Sequence, residues 1–340
     1  MVMQDAIRAL VEGPGLTPDL ATGAMEEIMT GAATPAQIGA FLATLRVRGE
    51  TPEIVSAALG VLTRHAEPCN AGDVIDIVGT GGDRADTVNV STTAAIVVAA
   101  AGVRVAKHGN RAASSKCGAA DVLEALGAKT SIGGPEAAQI IDAAGFCFLF
   151  AQRFHPAMRH VGGPRRELAV RTIFNILGPL ANPAHPREML VGVGAKVLAP
   201  LVAETFALRG MKRTIVVHSA DGLDEISPAG VTHAWYVEDG RVTERDLCPE
   251  DFGLARHPLE SVVGGDPEHN AGELLAVLDG REGPVTDFVL MTASAALYVA
   301  GKADELKTGV TIARDAIASG RAREVLDRYV AMTQELAPSE

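Results

Sequence analysis

Residues able to bind an anion follow the first predicted strand of the chain. Residues 76–83 (DIVGTGGD) run from a short apolar strand into a turn that contains Gly79, Gly81 and Gly82, and residues 89–93 then open a helix. Glycine lets backbone N–H groups approach an anion without a Cβ clash, and the first N–H groups of a helix attract phosphate. The pattern predicts a phosphate-binding loop, although a strand–helix turn without a ligand is an alternative. It matches neither the Walker A motif nor the GxGxxG dinucleotide motif.

A second polar segment follows the next predicted strand, at residues 103–106. It begins at Lys107 and continues through residues 108–118, with further cations at Arg111 and Lys116. Because ligands of open α/β sheets bind beyond the carboxyl ends of the strands, we expect both segments to face one crevice. The alternative is a solvated polar loop, which is less consistent with two such segments after successive strands.

A pair of adjacent carboxylates, Asp224 and Glu225, follows a predicted strand that ends at His218. Two neighbouring carboxylates are costly to hold together without a cation between them. Mg²⁺ is commonly bound by one or two carboxylates together with substrate phosphate oxygens and water. The pair therefore predicts a Mg²⁺ site, with an acidic surface turn as the alternative.

The elements that must position these residues indicate an α/β fold with a mainly parallel sheet flanked by helices, plus a smaller all-helical domain. Thr17-Pro18, Thr34-Pro35 and Thr51-Pro52 each combine a capping residue with a proline at the first helical position, which predicts a helical bundle over residues 1–66. From residue 73, strands alternate with helices, as in a parallel sheet covered on both faces. A further helix is predicted over residues 167–177 and is expected to pack on the N-terminal bundle.

Composition excludes several classes of protein. The formal net charge is -12, which opposes binding to nucleic acid or to anionic lipid. None of the 4 cysteines forms a CxxC pair, so zinc and redox functions are not indicated. The N-terminus lacks the pattern of a signal peptide, and the most apolar stretch, residues 96–101, is too short to span a membrane. We therefore expect a cytoplasmic protein without a membrane or nucleic-acid partner.

Several motifs in order resemble those of the anthranilate phosphoribosyltransferase family. The resemblance covers nearly the whole chain. The motifs are GTGGD at residues 79–83, NVST at 89–92, KHGNR at 107–111, DVLEALG at 121–127, RTIFNILGPL at 171–180, NPA at 182–184, and the pair at 224–225.

The resemblance implies transfer of a phosphoribosyl group from phosphoribosyl pyrophosphate to anthranilate in tryptophan biosynthesis, with Mg²⁺ as cofactor and a homodimer as the assembly. It also implies the fold of the nucleoside phosphorylase/phosphoribosyltransferase class. The domains would be a helical unit at 1–66, joined by helices around 165–185, and a donor-binding α/β unit at 73–164 and 186–340.

The resemblance also implies roles for individual residues. Gly79, Asn110 and Arg165 match positions that hold anthranilate, and Ser91, Asp224 and Glu225 match Mg²⁺ ligands. The positions that match the donor site are Gly79, Gly81, Gly82, Asp83, Thr87, Asn89, Val90, Ser91, Thr92, Lys107, His108, Gly109, Asn110, Arg111, Ala112, Ala113, Ser114, Ser115 and Ala119.

Two departures from the family pattern bear on these assignments. Ala119 stands where a donor-binding serine is usual, so one hydroxyl contact is lost, at a cost of ~1 kcal/mol if water does not replace it. A proline is expected one position before Pro164, which leaves Arg165 and the adjacent Arg166 as alternatives for the acceptor carboxylate.

The chemistry requires stabilisation of a pyrophosphate leaving group and placement of an amine, so we expect neither a covalent intermediate nor an essential general base. His108 is the candidate if a catalytic base exists. One alternative function is that of a pyrimidine nucleoside phosphorylase, and another is that of a non-catalytic relative that binds nucleic acid.

Overall fold

The computed structural model describes residues 1–83, 85–112 and 115–337 of the chain. Four helices come first: α1 (Val2–Val11), α2 (Pro18–Met29), α3 (Pro35–Arg48) and α4 (Pro52–Arg64). The predicted helix starts are confirmed. The hydroxyls of Thr17, Thr34 and Thr51 accept hydrogen bonds from the N–H groups of Leu20, Gln37 and Ile54, at 3.3, 3.3 and 3.4 Å. Each threonine thereby satisfies one of the unpaired N–H groups of its helix.

A seven-stranded sheet forms the centre of the molecule. Its strands are β1 (Ile75–Gly79), β2 (Val105–Gly109), β3 (Phe146–Phe150), β4 (Glu188–Gly192), β5 (Arg213–Ser219), β6 (Thr232–Glu238) and β7 (Arg241–Leu247). The spatial order is β3-β2-β1-β4-β5-β6-β7. The five strands β3, β2, β1, β4 and β5 run parallel to one another. The strand β6 is antiparallel to β5, and β7 is antiparallel to β6, which confirms the predicted mainly parallel sheet.

Helices cover both faces of this sheet, as expected for parallel strands that are apolar on both sides. The remaining helices are α5 (Val90–Ala100), α6 (Ala119–Ala125), α7 (Gly134–Ala144), α8 (Ala151–Phe154), α9 (Arg159–Leu168), α10 (Phe174–Leu180), α11 (Ala199–Leu208), α12 (Pro267–Leu278), α13 (Pro284–Val299), α14 (Leu306–Ala318) and α15 (Arg321–Leu336). One face packs against α5 and α13. The other packs against α11, which in turn contacts α4 of the N-terminal bundle, in one core that includes Val191 and Val216. Of the helices in the described ranges, none has the length and apolarity needed to cross a membrane.

The single helix predicted over residues 167–177 is wrong. The chain leaves α9 at Leu168 through Ala169, whose φ of 52° lies in the left-handed region, and helix resumes only at Phe174. The apolar spacing continues across this break, so the pattern alone does not reveal it. Both pieces pack on the N-terminal bundle, α9 against α3 and α10 against α4. This packing is compatible with the predicted domain division, which stays a prediction.

Candidate active site

The glycine-rich loop after β1 closes directly on the acidic pair. The Gly81 N–H donates to Asp224 Oδ2 at 2.6 Å. A Cβ on Gly192, at the end of β4, would lie 1.6 Å from the Asp224 carbonyl oxygen, and one on Gly79 would lie 2.3 Å from Asp224 Oδ2. Only glycine at these two strand ends lets Asp224 reach the loop.

Lys107 and His108 lie within β2 rather than in a loop, so the predicted loop start at Lys107 is wrong. Both side chains are buried. Lys107 Nζ donates to the Ile77 carbonyl at 2.5 Å and to Ser91 Oγ at 3.2 Å. The strand continues past its apolar residues because the Lys107 ammonium finds hydrogen-bond partners inside the protein.

Asp76, on the neighbouring strand β1, and Asn182 hold the polar end of β2 by hydrogen bonds. Asp76 is fully buried; its Oδ1 accepts from the His108 N–H at 3.2 Å and its Oδ2 from Asn182 Nδ2 at 2.8 Å. Burial raises the pKa of Asp76 to about 6, although the Lys107 charge opposes the rise. Sequence reasoning assigned no role to Asp76 or Asn182, since their pairing joins positions far apart in the chain.

Asp224 and Glu225 form a centre of concentrated negative charge. Burial, followed by the charge of Asp83, raises the pKa of Asp224 to about 7. Burial and the charge of Asp224 raise the pKa of Glu225 well above its usual range, while Lys107 and a hydrogen bond with Ser91 act in the opposite direction. The predicted metal residues Ser91, Asp224 and Glu225 therefore lie together, beside one buried cation.

This donor set suits a magnesium ion that takes part of its coordination from substrate. The ligands are hard oxygens, and the like-charged carboxylates gain stability from a divalent cation between them. Across the described ranges, no three histidine, cysteine, aspartate or glutamate side chains surround one point as a ready-made metal cage. Magnesium usually keeps water and phosphate oxygens among its ligands, so an incomplete protein shell fits this ion.

The N-terminus of α5 opens beside the same charges. Asn89 is the N-cap residue, followed by Val90, Ser91 and Thr92 in the first turn. Thr92 is 1% exposed, and its hydroxyl has no hydrogen-bond partner among the described residues. Thr87 lies just before this turn, bridged to Val263. An open helix start beside a buried lysine is suited to a phosphate group.

The loop after β2 is shaped by Asp121, whose Oδ2 accepts from the N–H groups of Ala112 and Gly118 at 2.9 and 2.8 Å. Arg111 turns back onto α6, where it bonds Glu124 at 2.5 and 2.7 Å. Asn110 and Ser115 are exposed, and Ala119 begins α6 within 3.5 Å of a Cβ built on Gly109. The predicted donor residues Ala113 and Ser114 lie outside the described residues.

Arg165, which is predicted to hold the acceptor, lies on α9. The Arg165 guanidinium lies 5.6 Å from the centre of the Phe174 ring and is partly buried, whereas Arg166 is exposed. Arg171 Nη2 donates to the Gly82 carbonyl at 3.1 Å, which ties the segment before α10 to the glycine loop. Arg171 is a cation at the loop that sequence reasoning quoted only as part of a motif.

Two buried histidines, His108 and His155, lie against each other at the polar end of β2. The rings of His108 and His155 meet edge to face at 5.2 Å. Burial lowers the pKa of His108 to about 3, and the charges of His155 and Lys107 add to the effect. Burial lowers the pKa of His155 to about 4. Both imidazoles are therefore neutral near pH 7; His155 was not identified from the sequence, because its spacing gives no signal.

The helical bundle and the mainly parallel sheet that follows it correspond to the two domains of a glycosyl transferase. Two family models match the chain: the helical bundle domain of the glycosyl transferase family over residues 4–66 and its a/b domain over residues 71–323.

Curated relatives and solved structures narrow the family. The anthranilate phosphoribosyltransferase of Methanobrevibacter smithii is 45% identical over 98% of this chain and 99% of its own length, and that of Rhizobium meliloti is 50% identical over 94% of each. The crystal structure of the Thermus thermophilus enzyme superposes with a TM-score of 0.91 at 43% identity, over 97% of this chain and 99% of that one. The Saccharomyces cerevisiae enzyme in complex with PRPP and Mg has a TM-score of 0.90 at 31% identity, over 98% of both chains. The chain belongs to the anthranilate phosphoribosyltransferase family.

The buried histidines predict a specific loss of stability in acid. The unfolded chain takes up protons on histidine below about pH 6.5, whereas His108 and His155 stay neutral in the folded state down to about pH 4. The unfolded state then binds more protons, so each histidine should lower the free energy of unfolding by about 2 kcal/mol between pH 7 and pH 5.

Urea unfolding at these two pH values measures the effect. The free energy of unfolding of His155→Gln should fall between pH 7 and pH 5 by about 2 kcal/mol less than that of the wild type. The exposed His269 provides the control, because His269→Gln should keep the wild-type difference. Equal pH dependence in wild type and His155→Gln would contradict the assignment of a neutral, buried imidazole.

Proposed function

We propose that this chain transfers the phosphoribosyl group of 5-phosphoribosyl 1-pyrophosphate to the amine of anthranilate, releasing pyrophosphate. The observation that carries the proposal is the hydrogen bond from Gly81 to Asp224, which brings the glycine loop and the acidic pair into one crevice. Lys107 contacts the first turn of α5 through its hydrogen bond to Ser91. The family of the chain supports the same reaction.

The donor's phosphates are assigned to the glycine loop and the first turn of α5. Backbone N–H groups of Gly82, Ser91 and Thr92 are oriented by the fold before substrate arrives, so binding costs little reorganisation. Lys107 is held by two hydrogen bonds; burial lowers its pKa, while the charges of Asp76, Glu225 and Asp224 favour its protonated form. As the bond at the anomeric carbon breaks, negative charge grows on the leaving pyrophosphate, and these groups stabilise that charge.

Ser91, Asp224 and Glu225 would hold Mg²⁺ at this position. When bound, the ion neutralises charge on the pyrophosphate oxygens and makes them a better leaving group. The raised pKa values of both carboxyls support the assignment, because burial of paired carboxylates without a cation is unfavourable.

The acceptor is assigned to the side of the crevice formed by α9 and α10. Arg165 is partly buried against Phe174, and a guanidinium can hold a carboxylate by two parallel hydrogen bonds. The exposed Arg166 is a weaker candidate. A pKa of about 3 makes His108 a poor proton acceptor, so we assign it a role in placing the acceptor rather than in proton abstraction.

We further propose a cytoplasmic homodimer. Val2, Val11 and Val47 project from the N-terminal helices with 39%, 55% and 87% of their surface exposed, which supports these helices as the candidate interface.

A direct assay tests the reaction. Anthranilate fluorescence should fall on incubation with phosphoribosyl pyrophosphate and Mg²⁺, and should stay constant without the donor. Cleavage of thymidine or uridine by phosphate, with no loss of anthranilate, would instead identify a nucleoside phosphorylase. Salt-sensitive retention of nucleic acid without turnover would favour the nucleic-acid-binding alternative, which the net charge of -12 opposes.

Replacement of Arg165 tests the acceptor site. Arg165→Ala should raise the KM for anthranilate by at least about tenfold, because a charge-assisted, two-point contact is lost, and should change the donor KM by less than about twofold. Arg166→Ala is the matched control and should leave both KM values near wild type. The opposite result for the two variants would move the acceptor contact to Arg166.

Replacement of the acidic pair tests the metal site. Asp224→Asn and Glu225→Gln should each raise the Mg²⁺ concentration that gives half-maximal rate by about tenfold or more, because each removes a charged ligand. The exposed Glu250, which pairs with Arg256, supplies the control variant Glu250→Gln. A Mg²⁺ titration that matches the wild type in both site variants would exclude these carboxylates as ligands.

A further inference from the structure

Residues 262–270 form a strap, which pairs with the segment at residues 86–88 that leads into α5. The Val88 N–H donates to the Val262 carbonyl at 3.0 Å, and the Gly264 N–H donates to the Asp86 carbonyl at 2.7 Å. Thr87 and Val263 form an isolated antiparallel bridge between them. The strap therefore holds the backbone of the loop that leads into α5.

At the end of this strap, the side chain of Asn270 reaches the helix start. Asn270 is 2% exposed; its Oδ1 accepts from the Gly265 N–H at 2.7 Å and its Nδ2 donates to Asn89 Oδ1 at 2.9 Å. Asn89 Nδ2 in turn donates to the Cys117 carbonyl at 3.2 Å, and Cys117 Sγ donates to Asn89 Oδ1 at 3.3 Å. A backbone donor at one end and a backbone carbonyl at the other fix the orientation of both amides.

This arrangement turns Asn89 away from its own helix. An asparagine at the N-cap normally accepts a hydrogen bond from the second or third N–H group of the helix, which here are those of Ser91 and Thr92. Within the described part of the chain, the Asn89 side chain makes no such bond. The first N–H groups of α5 are consequently left for another acceptor, beside the buried Thr92 hydroxyl and Lys107.

We propose that Asn270 is a positioning residue, which holds the Asn89 side chain off the start of α5 and so keeps that helix terminus open for the donor's pyrophosphate. Cys117 is the second support of the same rotamer. The inference rests on the proposed function, since it takes the phosphoribosyl donor as the anion that binds there. The Asn89 side chain, predicted to bind the donor, is instead occupied by Asn270 and Cys117. Without Asn270, Asn89 is free to cap its own helix and compete with the donor.

Kinetics of Asn270→Ala test this role. The donor KM should rise roughly five- to tenfold, the size of one helix-capping interaction, while kcat and the anthranilate KM stay within about twofold of wild type. Asn270→Asp is the second variant, because its carboxylate still accepts from Gly265 and preserves the strap but repels Asn89 Oδ1. It should raise the donor KM at least as much.

The same change in an Asn89→Ala background separates the proposal from a purely structural role. Alanine at position 89 cannot cap α5, so adding Asn270→Ala should change the donor KM by less than about twofold. Leu274→Ala, in the core-facing side of α12, is the control for general damage to this region and should lower the melting temperature without raising the donor KM.

An unchanged donor KM in both Asn270 variants would overturn the proposal. So would a rise in the donor KM that is as large when Asn270→Ala is added to Asn89→Ala as in the wild-type background. A rise of the same size in Leu274→Ala would overturn it too. Calorimetric binding of pyrophosphate with Mg²⁺ gives a readout that does not depend on turnover. If the wild type binds pyrophosphate and Asn270→Ala weakens that binding only when Asn89 is present, the positioning role stands even if anthranilate is not consumed. If the wild type consumes anthranilate but does not bind pyrophosphate, the inference is overturned and the function stands.

Discussion

The structure depends on holding like charges together at one edge of the sheet. Burial raises the pKa of both Asp224 and Glu225; the charge of Asp83 adds to both shifts, and that of Asp224 adds to the shift of Glu225. The buried Lys107 offsets only part of this charge. Such a centre is unfavourable by itself and becomes favourable when a divalent cation and a phosphorylated substrate complete it. In the proposed reaction, binding of the donor with Mg²⁺ would relieve repulsion that the fold already contains.

The scaffold maintains this arrangement through contacts that leave little room for change. Gly79 and Gly192 end two neighbouring strands, and a Cβ on either would collide with Asp224. The loop that carries the acidic pair is closed by Asp221, whose carboxylate accepts hydrogen bonds from the hydroxyls of Ser219 and Ser227. The strap at residues 262–270 holds the segment at residues 86–88 and the side chain of Asn89. The anion-binding groups are thus oriented before substrate arrives, which is the condition for strong electrostatic stabilisation of a leaving group.

Much of this architecture could be predicted from local patterns. Threonine–proline pairs located three helix starts, and the strand predicted to end at His218 ends one residue later, at Ser219. The predictions were wrong where a distant partner decides the outcome. Lys107 can lie in a buried strand because the charge of Asp76 and the hydroxyl of Ser91 stabilise its ammonium group. The helix predicted over residues 167–177 is interrupted in the segment where Arg171 donates to the Gly82 carbonyl. The roles of His155, Asn182 and Asn270 likewise depend on contacts between residues remote in sequence, which no single-sequence period reports.

The most direct measurement is a crystal structure of the protein with phosphoribosyl pyrophosphate and Mg²⁺ bound. The account predicts a metal ion in contact with Asp224 or Glu225 and with the pyrophosphate, whose oxygens accept hydrogen bonds from the Gly82 loop and the first turn of α5. Density for the donor at another surface, with no metal ion in contact with Asp224 or Glu225, would contradict it.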